Sequence, residues 1–300
     1  MTKKDKVIGP LCALGCETLF GLSYIVTKEA TQTAGAFALL GWRFLIAFIA
    51  MSLCAVCGFI QLDLRGKSIK PLLLVAIFSP CLYFTGETIG VQNTSASESG
   101  VFLACIPVVS LMASTLILKK KPSKMQVAGI LTTLVGVVMT VFSVGSSSSL
   151  SAVGYAFLSI AVLAYALYSV FVEKASDHTG AEVTFFMLMA GAIMFGAIAV
   201  CEGLSNGRIG DLLTLPFKEK TFALAILYQG IGCSMLGFLL SNIAIAKIGV
   251  NRTASFVGVA TVVSIIAGIL ILKEPFSVYQ LIGAVTIVAG VYMANHSLSG

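Results

Sequence analysis

Long apolar runs, separated by short polar connectors, follow one another along almost the whole chain. Several runs contain no charged residue, among them Ser99 to Leu118 and Met125 to Val172. A helix needs about 20 apolar residues to cross a hydrocarbon core of about 30 Å, and the runs have that length. They lack the alternation of apolar and polar positions that a membrane β-barrel requires. The pattern therefore predicts an all-α integral membrane protein with ten transmembrane helices.

The boundaries of the predicted helices follow from the ends of the apolar runs. They are Val7 to Val26, Phe37 to Phe59, Pro71 to Val91, Ser97 to Leu118, Met125 to Val144, Ala152 to Val172, Val183 to Cys201, Phe222 to Ile245, Thr253 to Leu272 and Phe276 to Ala294. The first run is too long for the apolar core of a signal peptide, so we expect it to be retained. The one longer connector, Glu202 to Thr221, predicts a segment that lies flat at the membrane interface.

Composition and charge exclude several classes of protein. Hydrophobic residues make up 58% of the chain and charged residues 11%, which excludes a water-soluble domain. The basic residues lie in short clusters between apolar runs, so we expect lipid headgroups and not nucleic acid as their partners. All eight cysteines lie in or beside apolar runs, which argues against a disulfide framework and a zinc site. We expect no cofactor and no metal.

The distribution of lysine and arginine predicts the orientation in the membrane. Connector lysines and arginines are most numerous on the side that holds the N-terminus, including the run Lys119 to Lys121. Positive residues favour the cytoplasmic side. We therefore expect both termini in the cytoplasm, in a cell membrane that the short connectors suggest is the bacterial inner membrane.

The two halves of the chain resemble each other. A shift of 154 residues aligns residues 97–139 with 251–293, with identities that include Gly129 with Gly283 and Gly136 with Gly290. We predict two five-helix repeats, residues 7–144 and 152–295. Because five is an odd number, tandem copies must enter the bilayer in opposite directions, which gives inverted repeats and suits alternating access.

Several motifs also resemble those of a known family. Thr94 to Phe102, Gly41 to Phe44 and Leu281 to Ala284 are similar to the repeat signatures of the EamA family in the drug/metabolite transporter superfamily. The resemblance extends from about residue 7 to 295. It implies a ten-helix exporter of metabolites, amino acids or drugs, with a central cavity and with the fifth and tenth helices at the periphery.

Four charged residues lie within or at the edge of the predicted spans: Glu17, Arg43, Glu87 and Glu98. A charge in a bilayer costs at least about 2.5 kcal/mol, so it persists mainly beside a cavity or a partner. One hypothesis pairs Arg43 with Glu17 or Glu87 and lets an unpaired carboxylate carry protons during transport. The alternative is a static ion pair that fixes the register of the helices.

A second hypothesis places the substrate between polar side chains of both halves. These residues are Glu87, Glu98, Asn93, Ser95, Ser97 and Ser99, with Tyr228, Gln229, Ser241 and Asn242 opposite. Three carboxylates against one arginine favour a substrate with an amino group over a phosphorylated one. The alternative is that the hydroxyls bond their own helices and that Glu98 lies in interfacial water.

Prolines and glycines suggest where helices bend or pack. Pro80 and Pro107 lie within spans, where each removes a backbone hydrogen bond, and we predict hinges there, with fixed kinks as the alternative. The glycine pairs in the fifth and tenth helices predict close helix packing, or else a dimer interface. Both a monomer and a homodimer are therefore open.

We conclude that the sequence encodes a secondary active transporter, not an enzyme. It carries no nucleotide-binding motif and no clustered nucleophile or metal ligands. We expect an exporter of a small metabolite, an amino-acid-like compound or a drug, working by alternating access with coupling to protons as one option. A small-solute channel is the main alternative, and an integral-membrane enzyme is a weaker one.

Overall fold

The computed structural model describes residues 4–30, 35–143, 151–271, 273 and 277–296, without the side chains of 24–30, 96, 97 and 143. The secondary structure in these ranges is helical, with ten helices long and apolar enough to span a membrane. We number them spans 1 to 10: Asp5–Ser23, Ala36–Val56, Lys70–Gln92, Glu98–Ile117, Lys124–Phe142, Ala152–Lys174, Gly180–Ser205, Lys220–Ile248, Val250–Ile271 and Val278–Asn295. The all-helical, ten-span prediction is confirmed, with boundaries that differ by a few residues.

Spans 3 and 4 are interrupted near their prolines. Span 3 consists of Lys70–Ala76, a π-helical turn Ile77–Leu82 and Tyr83–Gln92, and Ser79 in that turn is extended, with φ −143° and ψ 125°. Pro80, joined to Ser79 by a cis peptide bond, cannot donate a backbone hydrogen bond. Span 4 breaks at Cys105 and resumes as Ile106–Ile117, with Pro107 in the first turn, where its fixed φ suits a helix start.

The equivalent spans of the second half are interrupted too. Span 8 consists of Lys220–Leu227, a π-helical segment Tyr228–Gly237 and Phe238–Ile248. Span 9 breaks at Phe256, between Val250–Ser255 and Val257–Leu270. No proline accounts for these two breaks, and span 8 has three glycines in its π-helical segment. Both halves thus contain irregular third and fourth helices, although motion at Pro80 and Pro107 stays a prediction.

The connector between spans 7 and 8 contains a short helix, Ile209–Lys218. It packs on spans 7 and 8, and Trp42 Nε1 of span 2 donates to its Leu212 carbonyl at 3.0 Å. Leu213 and Phe217 lie on the surface, and Phe217 is 87% exposed. Exposed apolar residues on a helix beside the span ends are typical of an interfacial helix, as the sequence predicts for this connector.

Spans 5 and 10 pack closely and run antiparallel. A Cβ atom on Gly129 would lie 2.6 Å from the Gly290 carbonyl oxygen, and one on Gly136 would lie 2.7 Å from that of Gly283. Residue numbers rise along one helix as they fall along the other. The glycines therefore face each other within one chain, and the alternative that they form a dimer interface is wrong.

Two further contacts relate the halves. Phe44 of span 2 stacks on Phe195 of span 7 and Phe48 lies near Phe185, each pair 5.4 Å between ring centroids, so these equivalent helices are antiparallel as well. Lys119 and Lys273, which the 154-residue shift superimposes, have φ of 55° and 54°. They are the positive-φ non-glycine residues in the described ranges. This geometry supports the predicted inversion of the two repeats.

Candidate functional site

A cavity of about 930 Å³ lies between the two halves. Its charged lining residues are Glu17, Arg43 and Glu87. The rest of the lining is apolar or neutral and rich in aromatic rings, which belong to Phe20, Tyr83, Phe84, Tyr165, Tyr168 and Phe238. The volume suits a small organic molecule, and the mostly apolar lining with a few polar groups is typical of such sites.

The cavity reaches one end of the helix bundle. Its lining extends to Gly35 before span 2, to Gln92 at the end of span 3 and to Gly100 near the start of span 4. We call this end, which also holds the 206–219 connector, the cavity end. No residue of the connectors 57–69, 118–123 or 175–179, which lie at the opposite end, lines the cavity in the part of the chain that the structure describes.

Arg43 is bound to span 8 and not to a carboxylate. Its Nε donates to Ser234 Oγ at 2.6 Å and its Nη1 to Gln229 Oε1 at 3.5 Å. The guanidinium carbon lies 4.8 Å from the centre of the Phe84 ring, which is a cation–π contact. Neither Glu17 nor Glu87 is within ion-pair distance of it among the described residues, so the predicted direct pair is absent from this conformation, although Glu87 is near enough to interact with Arg43 electrostatically. Neutral partners from span 8 accept hydrogen bonds from two of the five N–H groups of the guanidinium instead.

Glu17 and Glu87 differ in their surroundings. Glu87 Oε1 accepts a hydrogen bond from the Tyr83 hydroxyl at 2.9 Å. Glu17 lines the cavity with only 5% of its surface exposed, and it has no hydrogen bond or ion pair to any residue that the structure describes. A carboxylate in such a place is available to a proton or to a cationic group that enters the cavity.

Two predicted site residues lie just outside the cavity wall. Asn242 is completely buried, donates to Thr184 Oγ1 at 2.9 Å and accepts from the Tyr168 hydroxyl at 2.7 Å. It therefore supports Tyr168, which does line the cavity. The Tyr228 hydroxyl donates to the Leu19 carbonyl at 2.9 Å and so fastens span 8 to span 1.

Ser95 and Glu98 begin span 4 as a capping box. The Glu98 amide donates to Ser95 Oγ at 3.2 Å, and Glu98 Oε2 accepts from the Ser95 amide at 2.8 Å. The other Glu98 oxygen accepts from the Tyr155 hydroxyl. Neither side chain lines the cavity. The side chain of Ser97 lies outside the described residues.

Reasoning from charge missed the aromatic part of the site. Tyr83, Tyr165 and Tyr168 line the cavity at mid-depth, and Tyr83 and Tyr165 pack edge to face with ring centroids 5.6 Å apart. The sequence did contain a sign of these residues, because each is a tyrosine within an otherwise apolar span, and a buried tyrosine hydroxyl needs a hydrogen-bond partner. Pro107 and Ser79, which precedes Pro80, also line the cavity, so both helix breaks adjoin it.

At the opposite end of the bundle, two carboxylates form hydrogen bonds and ion pairs that link connectors to spans of the other half. Glu182, at the start of span 7, accepts from the Asp63 amide at 3.0 Å and from Lys67 Nζ at 2.9 Å. Glu173, at the end of span 6, accepts from the Val250 amide at 2.8 Å and contacts Lys120. These contacts join the 57–69 connector to span 7, and spans 6 and 9 to the 118–123 connector. We call Glu173 and Glu182 the bridging carboxylates.

A model of the EamA-like transporter family matches residues 7–142 and again residues 152–296. The chain belongs to this family. It is 32% identical over 300 residues to the uncharacterized transporter YcxC of Bacillus subtilis, covering 99% of this chain and 96% of that one. It is 26% identical to the uncharacterized transporter YetK of the same organism, covering 92% and 83%.

A solved crystal structure shares the fold, with a TM-score of 0.77 and 18% sequence identity over 97% of this chain and 98% of that one. The family and the ten spans together make this chain a multi-pass membrane transporter and confirm the predicted resemblance. Membership implies a small-molecule substrate and a lipid bilayer, and it places the chain among transporters, not enzymes.

Proposed function

We propose that this protein is a secondary carrier that exports a small amine-bearing metabolite or drug in exchange for protons, by alternating access. The observation that carries the proposal is Glu17. This carboxylate lies in the wall of the cavity between the two halves and has no hydrogen-bond or ion-pair partner among the described residues. A carrier that exchanges a cation for a proton needs one group that can hold either.

The charge balance of the cavity supports an amine as the substrate. Two carboxylates, Glu17 and Glu87, oppose one arginine. The positive charge of Arg43 is already directed at Ser234, Gln229 and the ring of Phe84, whereas Glu17 has no partner among the described residues. Aromatic rings around the carboxylates add favourable cation–π contacts for an ammonium group. An amine with an apolar body fits this lining best.

The two ends of the bundle support alternating access. The cavity reaches one end, while the bridging carboxylates fasten connectors at the other. Inverted repeats can exchange conformations, which would close the first end and open the second. Breaks in spans 3, 4, 8 and 9 give both halves a place to bend. We propose that Pro80 and Pro107 act as hinges in that exchange.

The orientation that the basic residues favour assigns the two ends of the bundle to the two sides of the membrane, and the direction of export is part of the proposal. With both termini in the cytoplasm, the cavity end faces outward, and in an exporter the described conformation would be the one that releases substrate outside. A bacterial inner membrane would supply the proton gradient that drives export. No nucleotide-binding motif occurs in the sequence, so we assign the driving force to a gradient.

The test begins with finding a ligand and then asks whether it is carried. Amino acids, polyamines and nucleobases are screened for those that raise the melting temperature of the purified protein. The best ligand is loaded into proteoliposomes, and uptake of its labelled form is measured. A carrier shows uptake stimulated by unlabelled ligand on the far side, whereas a channel does not. Unstimulated uptake would contradict the proposal.

Neutralising Glu182 should shift the protein away from the described conformation. Glutamine can still cap span 7 but loses the ion pair with Lys67. Breaking one such contact costs about 1–3 kcal/mol, enough to change a population ratio at least fivefold. In a background without cysteines, a cysteine at Thr88 in the cavity wall reports the shift. Glu182→Gln should lower its labelling by an impermeant maleimide added at the cavity end.

The matched control is Glu202→Gln. Glu202 is an exposed carboxylate near the cavity end and takes no part in the bridging contacts. Labelling at Thr88→Cys should be unchanged in this variant. Equal labelling in both variants would show that Glu182 does not hold the opposite end closed.

A further inference from the structure

A second recess lies at the opposite end of the bundle from the mouth of the transport cavity. It measures about 300 Å³ and is bounded by the 118–123 connector, the end of span 6 and the turn between spans 8 and 9. Its polar lining residues are Ser114, Lys120, Lys121, Gln126, Glu173, Asn251 and Arg252. None of these residues lines the transport cavity.

The recess carries a positive charge. Three cationic side chains, of Lys120, Lys121 and Arg252, line it together with one carboxylate, that of Glu173. Glu173 is engaged within the protein, since it accepts from the Val250 amide at 2.8 Å and contacts Lys120. Lys121 makes no hydrogen bond or ion pair with the residues that the structure describes, and its side chain is exposed. The recess therefore favours an anion.

Comparison of the two halves indicates that the fold does not require these lysines. The shift of 154 residues places Lys119, Lys120 and Lys121 on Lys273, Glu274 and Pro275. The backbone at the first position is the same in both halves, with φ of 55° and 54°. That first position therefore has the same backbone conformation in the half that lacks a basic run. A preference for positive charge on one membrane face explains charged connectors, but it does not require a recess that brings Arg252 of span 9 beside them.

We propose that this recess binds the phosphate of an anionic phospholipid headgroup. It lies where spans 4, 6 and 8 end, which in a bilayer would be the depth of the headgroups, and basic pockets between helices at this level suit anionic lipids. Lysine and arginine both recognise phosphate, arginine with two hydrogen bonds at once. A soluble phosphate has the same chemistry, so the experiment compares the two sources. The inference concerns a site other than the substrate cavity and does not depend on the proposed function.

The experiment titrates the full-length protein in neutral detergent and follows its melting temperature. Phosphatidylglycerol is compared with phosphatidylcholine, and sodium phosphate is added in a separate arm at constant ionic strength. We expect phosphatidylglycerol to raise the melting temperature of the unmodified protein and phosphatidylcholine to do so much less. The double variant Lys121→Gln/Arg252→Gln should need at least about tenfold more phosphatidylglycerol for the same shift.

Two further variants make the result specific. Lys218→Gln/Lys220→Gln removes the same charge at the cavity end and should respond like the unmodified protein. Lys121→Gln alone changes an exposed side chain, so it keeps the fold and should show part of the loss. Sodium phosphate could raise the melting temperature of the unmodified protein as the lipid does, and fail to do so in the double variant. That result would support the anion site, with soluble phosphate as its ligand. An equal lipid effect in the double variant, or none in the unmodified protein, would overturn the proposal.

Discussion

Replacement of Glu17 by glutamine is expected to abolish transport driven by a pH gradient. Glu17 is the cavity carboxylate without a partner in the described part of the chain, and glutamine keeps its size while removing its charge and its proton. Loss of a charged partner for an ammonium group in an apolar cavity costs about 3 kcal/mol or more, which is at least a hundredfold in flux. The measurement is uptake of the screened amine into proteoliposomes with an imposed pH gradient.

Glu98→Gln is the matched control for this experiment. Glu98 lies near the cavity end, but its carboxylate caps span 4 and accepts from Tyr155. We expect this variant to keep most of its pH-driven flux after correction for the amount of folded protein. Undiminished pH-driven flux in Glu17→Gln would remove Glu17 from the coupling mechanism.

The largest loss of stability is expected when Gly136 is replaced by leucine. Even a Cβ atom there would lie 2.7 Å from the Gly283 carbonyl oxygen and 2.8 Å from the Ile287 amide nitrogen. Both atoms belong to the backbone of span 10 and cannot move aside as a side chain can. Overpacking in cores costs about 1–3 kcal/mol, and a backbone clash should reach at least the upper limit. Thermal unfolding in detergent should show a clearly lower melting temperature, or no folded protein.

Gly196→Leu provides the comparison, because no atom lies within 4 Å of a Cβ at Gly196 of span 7. The substitution adds the same side chain and improves helix propensity by about 1 kcal/mol. Its melting temperature should equal or exceed that of the unmodified protein. If Gly136→Leu matches it, spans 5 and 10 do not pack as described.

The ten spans could be predicted from the sequence because the thickness of a bilayer fixes the length of an apolar run. Pro80 and Pro107 also indicated the breaks in spans 3 and 4. The break at Phe256 gave no such signal, since no proline accompanies it. Helix irregularities of this kind depend on how neighbouring helices pack, which a single sequence does not state.

The site was predicted less completely than the fold. Sequence gives the depth of Arg43 but not the direction in which its side chain points, so an ion pair was expected where Gln229 and Ser234 provide the contacts. The capping box of Ser95 and Glu98 was readable, because serine three residues before glutamate at a helix start is its signature. The tyrosines around Glu17 emerge only when spans 1, 3 and 6 are brought together.

The central claim is that the two halves cross the membrane in opposite directions around one shared cavity. Single cysteines at Lys119 and Lys273, which the 154-residue shift superimposes, test it most directly in a cysteine-free protein in intact cells. We expect an impermeant maleimide to label Lys273→Cys from outside and to reach Lys119→Cys only after the cells are opened. Labelling of both positions from the same side would contradict the inverted arrangement and the alternating-access mechanism built on it.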